Sequence, residues 1–139
     1  MSKFVKKSNE KGALNFKRIK PLIPQKNQGR IYIKSTRNNT IITLSDLQGN
    51  VKYWSSAGHV GFKNSRKSTN YAAQAVAEKV AIKALDLGFQ SILLNIQGLG
   101  YGKLPAIRAL SKSKLTLLKI HELTPIAHNG CRPSKKRRI

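Results

Sequence analysis

Acidic residues are scarce in this sequence. Only 5 of its 139 residues are Asp or Glu, against 27 Lys and Arg, so the formal net charge at pH 7 is +22. This scarcity disfavours an enzyme that works through clustered carboxylates. Like charges at this density repel one another and oppose compaction, so the composition predicts a polyanionic partner. The candidate polyanions are RNA, DNA and an anionic membrane surface.

Cysteine and long apolar runs are equally scarce. The single cysteine, Cys131, cannot form an intramolecular disulfide, which fits a reducing compartment. The longest apolar runs, such as residues 92–94, fall far short of the ~20 residues that a membrane span needs. The first lysines are not followed by an apolar stretch, so we expect no secretory signal. Hydrophobic residues still make up 40% of the chain, enough for the core of one domain.

The positive charge is concentrated at the two ends of the chain. Residues 1–30 contain nine basic side chains and one acid, and residues 132–139 contain five more basic side chains. Segments of this composition rarely fold alone and usually become ordered on a nucleic acid, although KKRR alone would also suit a solubilising or nuclear-targeting tail. We therefore predict a basic N-terminal extension over 1–29, an α/β RNA-binding domain over 30–123 and a basic C-terminal tail over 124–139.

The body of the chain has the pattern of a mixed α/β fold. Three runs of strand-forming residues joined by short turns predict an antiparallel meander. A helix, a buried strand, a second helix and a last strand follow, and right-handed crossovers would add the last two strands in parallel. This order, βββαβαβ, is that of a ribonuclease-H-like mixed sheet with helices packed on it. The predicted strands are 30–35, 40–45, 51–55, 90–96 and 115–123.

Several local signals set the boundaries of these elements. Ser68 or Thr69 can cap the first helix, and Gly88 is a good residue to end it. Pro105 suits the first turn of the second helix. The nearly continuous apolar run over 90–96 predicts a strand that is buried on both faces. Glycines and polar residues predict an irregular loop over 56–67.

Two segments that precede helices have the composition of anion-binding loops. Residues 61–69 place three cations and several hydroxyls before a helix N-terminus, where cations oppose the helix dipole unless they reach an external anion. Residues 98–103 place three glycines between a buried strand and a helix, as a phosphate cradle would, but a tight strand-to-helix turn explains them equally well. The spacing fits neither a Walker A loop nor a dinucleotide fingerprint, so we predict no cofactor.

Metal and nuclease chemistry have little support. The three histidines and the cysteine lack the paired spacing of a zinc site. A ribonuclease-H-like nuclease would need carboxylates that converge on two metal ions. Asp46 and Glu78 are placed plausibly for this, but nothing brings Asp86 and Glu122 to them. We predict no catalytic residue and no metal, and retain such a nuclease and a general nucleic-acid chaperone as alternatives.

Four strings of the sequence resemble a known family. With them the chain is similar to the eleventh protein of the small ribosomal subunit, a universal family of the subunit's platform. The resemblance implies a ribonuclease-H-like domain without catalytic activity or small-molecule substrate. It also implies binding to small-subunit rRNA in the platform, near the mRNA exit side and beside other platform proteins, and not to a membrane. The strings are NNTIITLSDLQGN (38–50), GFKNSRKSTNYAAQAVAEK (61–79), GLGYGKLPAIRAL (98–110) and LTPIAHNGCRPSKKRRI (123–139).

The resemblance further implies RNA contacts in four regions. These are the turn after the first strand, the loop before the first helix, the glycine loop with its helix, and the C-terminal tail. The expected contacts are Asn38, Asn39, Thr40, Lys63, Ser65, Arg66, Lys67, Ser68, Gly98, Gly100, Gly102, Lys103, Arg108, His128, Asn129, Gly130, Arg132, Lys135, Lys136, Arg137 and Arg138.

Composition also bears on the compartment. Lys, Ile and Asn make up 42 of the 139 residues, a bias typical of AT-rich genomes. An imported organellar protein should begin with an Arg-rich amphipathic presequence, which the Lys-rich start does not resemble. We therefore expect an organelle-encoded chain and an organellar ribosome. A mitochondrion is favoured over a plastid, and an AT-rich bacterium is the alternative.

Overall fold

The computed structural model describes residues 27–135, and over this range the predicted order of the five strands and the two longer helices is confirmed. The ends of the predicted strands shift by one or two residues. The strands are β1 (Gln28–Ser35), β2 (Thr40–Asp46), β3 (Val51–Ser56), β4 (Ser91–Gln97) and β5 (Thr116–Glu122). The helices are α1 (Ala57–Val60), α2 (Asn70–Asp86) and α3 (Lys103–Lys112).

The five strands form one mixed sheet in the order β3-β2-β1-β4-β5. β2 pairs antiparallel with β1 and β3, as a meander requires. β4 pairs in parallel with β1 and β5, as two helical crossovers require. The mixed α/β sheet that the sequence predicted is therefore confirmed. The C-terminal ends of β1, β3, β4 and β5 therefore all lie at the same end of the sheet, which we call its carboxyl end.

The boundaries of α2 follow from the residues that flank it. The Oγ1 atom of Thr69 accepts a hydrogen bond of 3.3 Å from the backbone N–H of Ala72, so Thr69 is the N-cap. At the other end Gly88 has a φ of +84°, a conformation that glycine adopts at little cost. The N–H of Phe89 then donates to the carbonyl of Ala84. The sequence had indicated both Thr69 and Gly88.

The core lies between the helices and one face of the sheet. Alternate residues of β1, β2 and β4 form a single buried cluster with the inner faces of α2 and α3. The small side chains of α2 allow the helix to approach the sheet closely. The buried strand residues are Ile31, Ile33, Ile42, Leu44, Ile92, Leu94 and Ile96.

The opposite face of the sheet is uncovered over residues 27–135. β4 shows this directly, because its outward residues Leu93, Asn95 and Gln97 are only partly buried. The prediction that β4 is buried on both faces is therefore wrong. The apolar Leu93 between Ile92 and Leu94 made the run look continuous, although its side chain lies on the face without helices.

The segment that was predicted as an irregular loop contains two short helical turns. Ser56 caps α1, because its Oγ accepts a hydrogen bond of 3.3 Å from the N–H of His59. A 3₁₀ turn over Asn64–Ser68 then leads into α2. Turns this short contain too few residues to produce an apolar periodicity, so the sequence pattern missed them. No helix in the described range has the length and apolarity needed to cross a membrane.

Candidate nucleic-acid interface

The loop before α2 is held by its own hydroxyls. Ser68 Oγ donates a hydrogen bond of 2.7 Å to the carbonyl of Ser65, and Thr69 Oγ1 donates one of 2.7 Å to the carbonyl of Arg66. Phe62 packs edge-on against Tyr71 of α2, with the ring centroids 5.9 Å apart. These contacts fix the backbone of the loop without using any of its cationic groups.

The cations of this loop point into solvent and have no acidic partner within residues 27–135. Lys63 and Arg66 are exposed, and Lys67 is partly exposed. None of the salt bridges between residues 27 and 135 involves them. Residues 60–66 also line a concave surface depression. The loop therefore presents a rigid backbone with unneutralised cations, an arrangement that suits contact with phosphates.

The glycine loop between β4 and α3 packs tightly on the end of β1. The N–H of Gly100 donates to the carbonyl of Ser35 over 3.0 Å. A Cβ at Gly98 would overlap the backbone of Ser35, and one at Gly100 would overlap the backbone of Thr36. A Cβ at Gly102 would overlap the Oγ1 atom of Thr40 on β2. Close packing within the chain thus accounts for these glycines, and RNA contact through them stays a prediction.

A small polar network joins the end of β5 to this loop. Lys103 Nζ lies 3.1 Å from Glu122 Oε2, and Thr124 Oγ1 accepts a hydrogen bond of 3.0 Å from the N–H of Gly98. Thr124 Oγ1 in turn donates to Glu122. Hydrogen bonds from Thr124 and then from Lys103 hold the pKa of the Glu122 carboxyl below its ordinary value. Lys103 is therefore engaged within the chain, and an RNA phosphate would have to compete with Glu122 for it.

The turn between β1 and β2 lies beside the glycine loop. Asn38 is exposed, Asn39 is partly buried and Thr40 is 2% exposed. Thr36 Oγ1 closes the turn, because it donates to the carbonyl of Asn39 and accepts from its N–H. Thr40 faces Gly102 and not solvent, so Asn38 is the most accessible of the three predicted contacts.

The C-terminal tail begins at the same place, since Thr124 is bonded to Gly98. All the predicted tail contacts that the structure describes are exposed. They are His128, Asn129, Gly130, Arg132 and Lys135. Three further predicted contacts, Lys136, Arg137 and Arg138, and most of the predicted N-terminal extension lie outside the described residues.

All four predicted regions therefore lie at the carboxyl end of the sheet. The turn after β1, the loop after β3, the glycine loop after β4 and the tail after β5 all start from the C-terminal ends of their strands. Arg108 is exposed on α3 and borders a depression shared with Asn70 and Tyr71, at the start of α2. The structure thus brings together segments that are more than eighty residues apart in the sequence.

Most of the chain matches a known protein family. Residues 29–138 match the model of the family described as ribosomal protein S11. The chain belongs to the ribosomal protein S11 family. It is 58% identical over 115 residues to small ribosomal subunit protein uS11m of Prototheca wickerhamii, covering 83% of this chain and 90% of that protein. It is 45% identical over 132 residues to uS11 of Bdellovibrio bacteriovorus, covering 95% of this chain and 99% of that protein.

Membership of the S11 family identifies the chain as a structural constituent of the small ribosomal subunit and not an enzyme. A mitochondrial relative, uS11m of Marchantia polymorpha, is 58% identical over 105 residues and covers 76% of this chain and 84% of its own length. The ribosomal location is thus supported, with similar proteins both in mitochondria and in bacteria.

The carboxylates of this S11-family chain have local roles in the described range. Asp46 pairs with Lys52 over 3.0 Å, and Glu78 accepts a hydrogen bond of 2.8 Å from Gln74. No three His, Cys, Asp or Glu side chains between residues 27 and 135 come together as a metal cluster would require. Nothing in this arrangement favours the nuclease alternative.

Two residues at the carboxyl end of the sheet, Arg37 and Thr124, were not predicted from the sequence. Arg37 is an exposed cation in the turn after β1, and its place in that turn next to Asn38 was a signal that could have identified it. Thr124 joins the tail to the glycine loop. Its role depends on a contact with Gly98, twenty-six positions earlier in the chain, and no local sequence pattern predicts such a contact.

Proposed function

We propose that this chain binds small-subunit rRNA through the carboxyl end of its sheet. It would do so in the platform of the subunit, near the path by which mRNA exits and beside neighbouring platform proteins. The observation that carries the proposal is the convergence of four polar or basic segments at this one end. Their cations, apart from Lys103, are free of acidic partners within the described chain.

The proposed mechanism combines charge neutralisation with recognition of RNA shape. Lys63, Arg66 and Lys67 would contact phosphates from a loop whose backbone is already fixed, so that little conformational freedom is lost on binding. The basic tail would follow an adjacent RNA segment from its fixed start at Thr124. Because the body is folded, it would match one particular RNA surface and not any polyanion.

We further propose that the ribosome concerned is organellar, with a mitochondrion favoured over a plastid and a bacterial ribosome as the alternative. The support is the Lys, Ile and Asn bias of the sequence together with the identity of 58% to two uS11m proteins. Fractionation of the source cells, with the protein followed by mass spectrometry, would test this proposal.

The rRNA-binding proposal is tested by two sets of substitutions that remove equal charge. One chain carries Lys63→Gln, Arg66→Gln and Lys67→Gln, and the control carries Lys79→Gln, Lys83→Gln and Lys114→Gln on the helix side. Only the loop variant should weaken binding to small-subunit rRNA. The slope of the logarithm of the binding constant against that of the salt concentration should fall by ~0.7 to ~0.9 for each phosphate that the variant no longer neutralises.

Two results would contradict the proposal. Equal weakening of both variants would mean that only bulk charge matters. Equal affinity of the unchanged chain for unrelated RNAs of the same length would indicate a general nucleic-acid chaperone instead.

A further inference from the structure

We propose that the uncovered face of the sheet is a second RNA surface, one that binds unpaired nucleotides by stacking their bases. This inference rests on the proposed rRNA-binding function and goes beyond it, because the face is separate from the phosphate-binding loops at the carboxyl end. It assigns a role to side chains that neither the core nor those loops use.

A row of side chains crosses this face from one edge of the sheet to the other. Strand pairing places Trp54 opposite Thr43, and Thr43 opposite Tyr32. On the other side Tyr32 lies opposite Asn95, and Asn95 lies opposite His121. Rings therefore stand on alternate strands, about 10 Å apart given the spacing of neighbouring strands. Polar groups that can bond to base edges lie between them.

The exposed end of this row is an aromatic surface. Trp54 is 54% exposed, and its ring lies 5.5 Å from that of His59, measured between centroids. Tyr32, the next ring in the row, is partly exposed. An exposed indole on a strand is costly to leave in water, and stacking under a nucleobase would cover it.

The charge of the face complements RNA. A second row places Arg30 opposite Leu93, which lies opposite Lys119. Lys34 lies on the same face, two residues after Tyr32 on β1. None of these cations has a salt bridge within residues 27–135. The face thus supplies the combination of rings, amides and cations by which proteins hold single-stranded RNA.

The carboxylates of the described chain all lie away from this face. Glu78 and Asp86 are on α2, and Glu122 turns toward Lys103 at the start of α3. Asp46 borders a depression with Leu87, at the end of α2. Acids are therefore confined to the side that carries the helices.

A shallow depression on the face offers a place for one base. Arg30, Leu93, Asn95 and His121 line it together with Leu123. Its lining combines the apolar side chains of Leu93 and Leu123 with polar side chains that can donate and accept hydrogen bonds. A protein partner is the less fitting occupant, because protein–protein interfaces are depleted in lysine, whereas this face carries Lys34 and Lys119 without an acidic side chain beside them in the described range.

The chain contains one tryptophan, so its intrinsic fluorescence reports directly on this face. The unchanged full chain is titrated with an unstructured RNA oligonucleotide of about a dozen nucleotides. The duplex made from the same strand serves as the matched probe. We expect the single strand to quench Trp54 strongly by stacking, and the duplex to bind phosphate-contacting loops with little quenching.

Substitutions then test the named side chains, with binding measured by the anisotropy of the labelled oligonucleotide. Trp54→Ala should weaken binding of the single strand at least about fivefold and leave duplex binding unchanged, whereas Trp54→Phe should retain most of the affinity. Lys119→Gln should lower the salt slope for the single strand by ~0.7, whereas the control Lys79→Gln should not change it. Circular dichroism verifies that each variant is folded.

Failure of this inference can be told apart from failure of the proposed rRNA binding. Tight rRNA binding without quenching of Trp54 would overturn the sheet-face proposal alone, and absence of all RNA binding would overturn both. A blue shift of Trp54 without quenching on assembly into small subunits would assign the face to a protein partner. Shielding of Trp54 from acrylamide in the free chain would mean that the face is already covered, which also overturns the proposal.

Discussion

Gly98 illustrates how much of the glycine loop is determined by the space around single residues. Its φ is +104°, and an added Cβ would overlap the backbone of Ser35. The sequence could not decide between a phosphate cradle and a tight turn. A glycine can leave room for a ligand or for the chain's own backbone. Only the position of the neighbouring strand, here the end of β1, shows which of the two fills the space.

The first prediction follows from this packing. Gly98→Ala should destabilise the fold by roughly 3 kcal/mol, because a left-handed conformation and a clash with backbone act together. The control is Gly58→Ala in α1, where an added Cβ meets nothing closer than 3.8 Å. This change should leave stability the same or raise it by up to about 1 kcal/mol. Urea unfolding midpoints measure both, and equal midpoints would refute the packing explanation.

The elements themselves were predictable where long periodic patterns or strong caps specified them. Thr69 and Gly88 indicated the ends of α2, and runs of strand-forming residues indicated β1, β2 and β3. The two turns between β3 and α2 were missed because they are short. The one-sided burial of β4 was missed because an apolar Leu93 on the uncovered face cannot be told from a core residue by type alone.

The junction of β5 with the glycine loop yields a prediction at the level of elements. Thr124 and Lys103 both lower the pKa of Glu122 by hydrogen bonding to its ionised form. Thr124→Val should therefore raise the pKa of Glu122 toward its ordinary value. Carboxyl carbon NMR would measure the change. Thr116→Val, at the exposed start of the same strand, should leave the Glu122 pKa unchanged.

The same shift has a consequence for acid stability. Because the pKa of Glu122 is lower in the folded chain, its contribution is present above the ordinary glutamate pKa and is lost as the pH falls through the folded value. Thr124→Val should accordingly lose less stability on acidification than the unchanged chain does. An identical acid dependence in both chains would show that the contact does not stabilise the junction.

At the scale of the whole molecule, the important property is the arrangement of its charge. The sequence revealed the basic ends and the basic loop before α2, together with the family resemblance. It could not reveal that four separate segments meet at one end of the sheet, because their convergence depends on strand order and crossover direction. Nor could it separate the side that carries the described acids from the face that lacks them, which requires the register of every strand.

This arrangement predicts that salt stabilises the free chain. At +22, self-repulsion opposes folding, and raising the ionic strength shortens its range from ~30 Å at 0.01 M to ~3 Å at 1 M. The unfolding temperature should therefore rise with salt. Replacing Arg132, Lys135, Lys136, Arg137 and Arg138 with Gln should reduce this dependence and weaken rRNA binding. The control, Lys135→Arg with Lys136→Arg, preserves the charge and should preserve both properties. A salt response that is unchanged by neutralising the tail would mean that the repulsion arises within the folded body, and the tail would then act only on bound RNA.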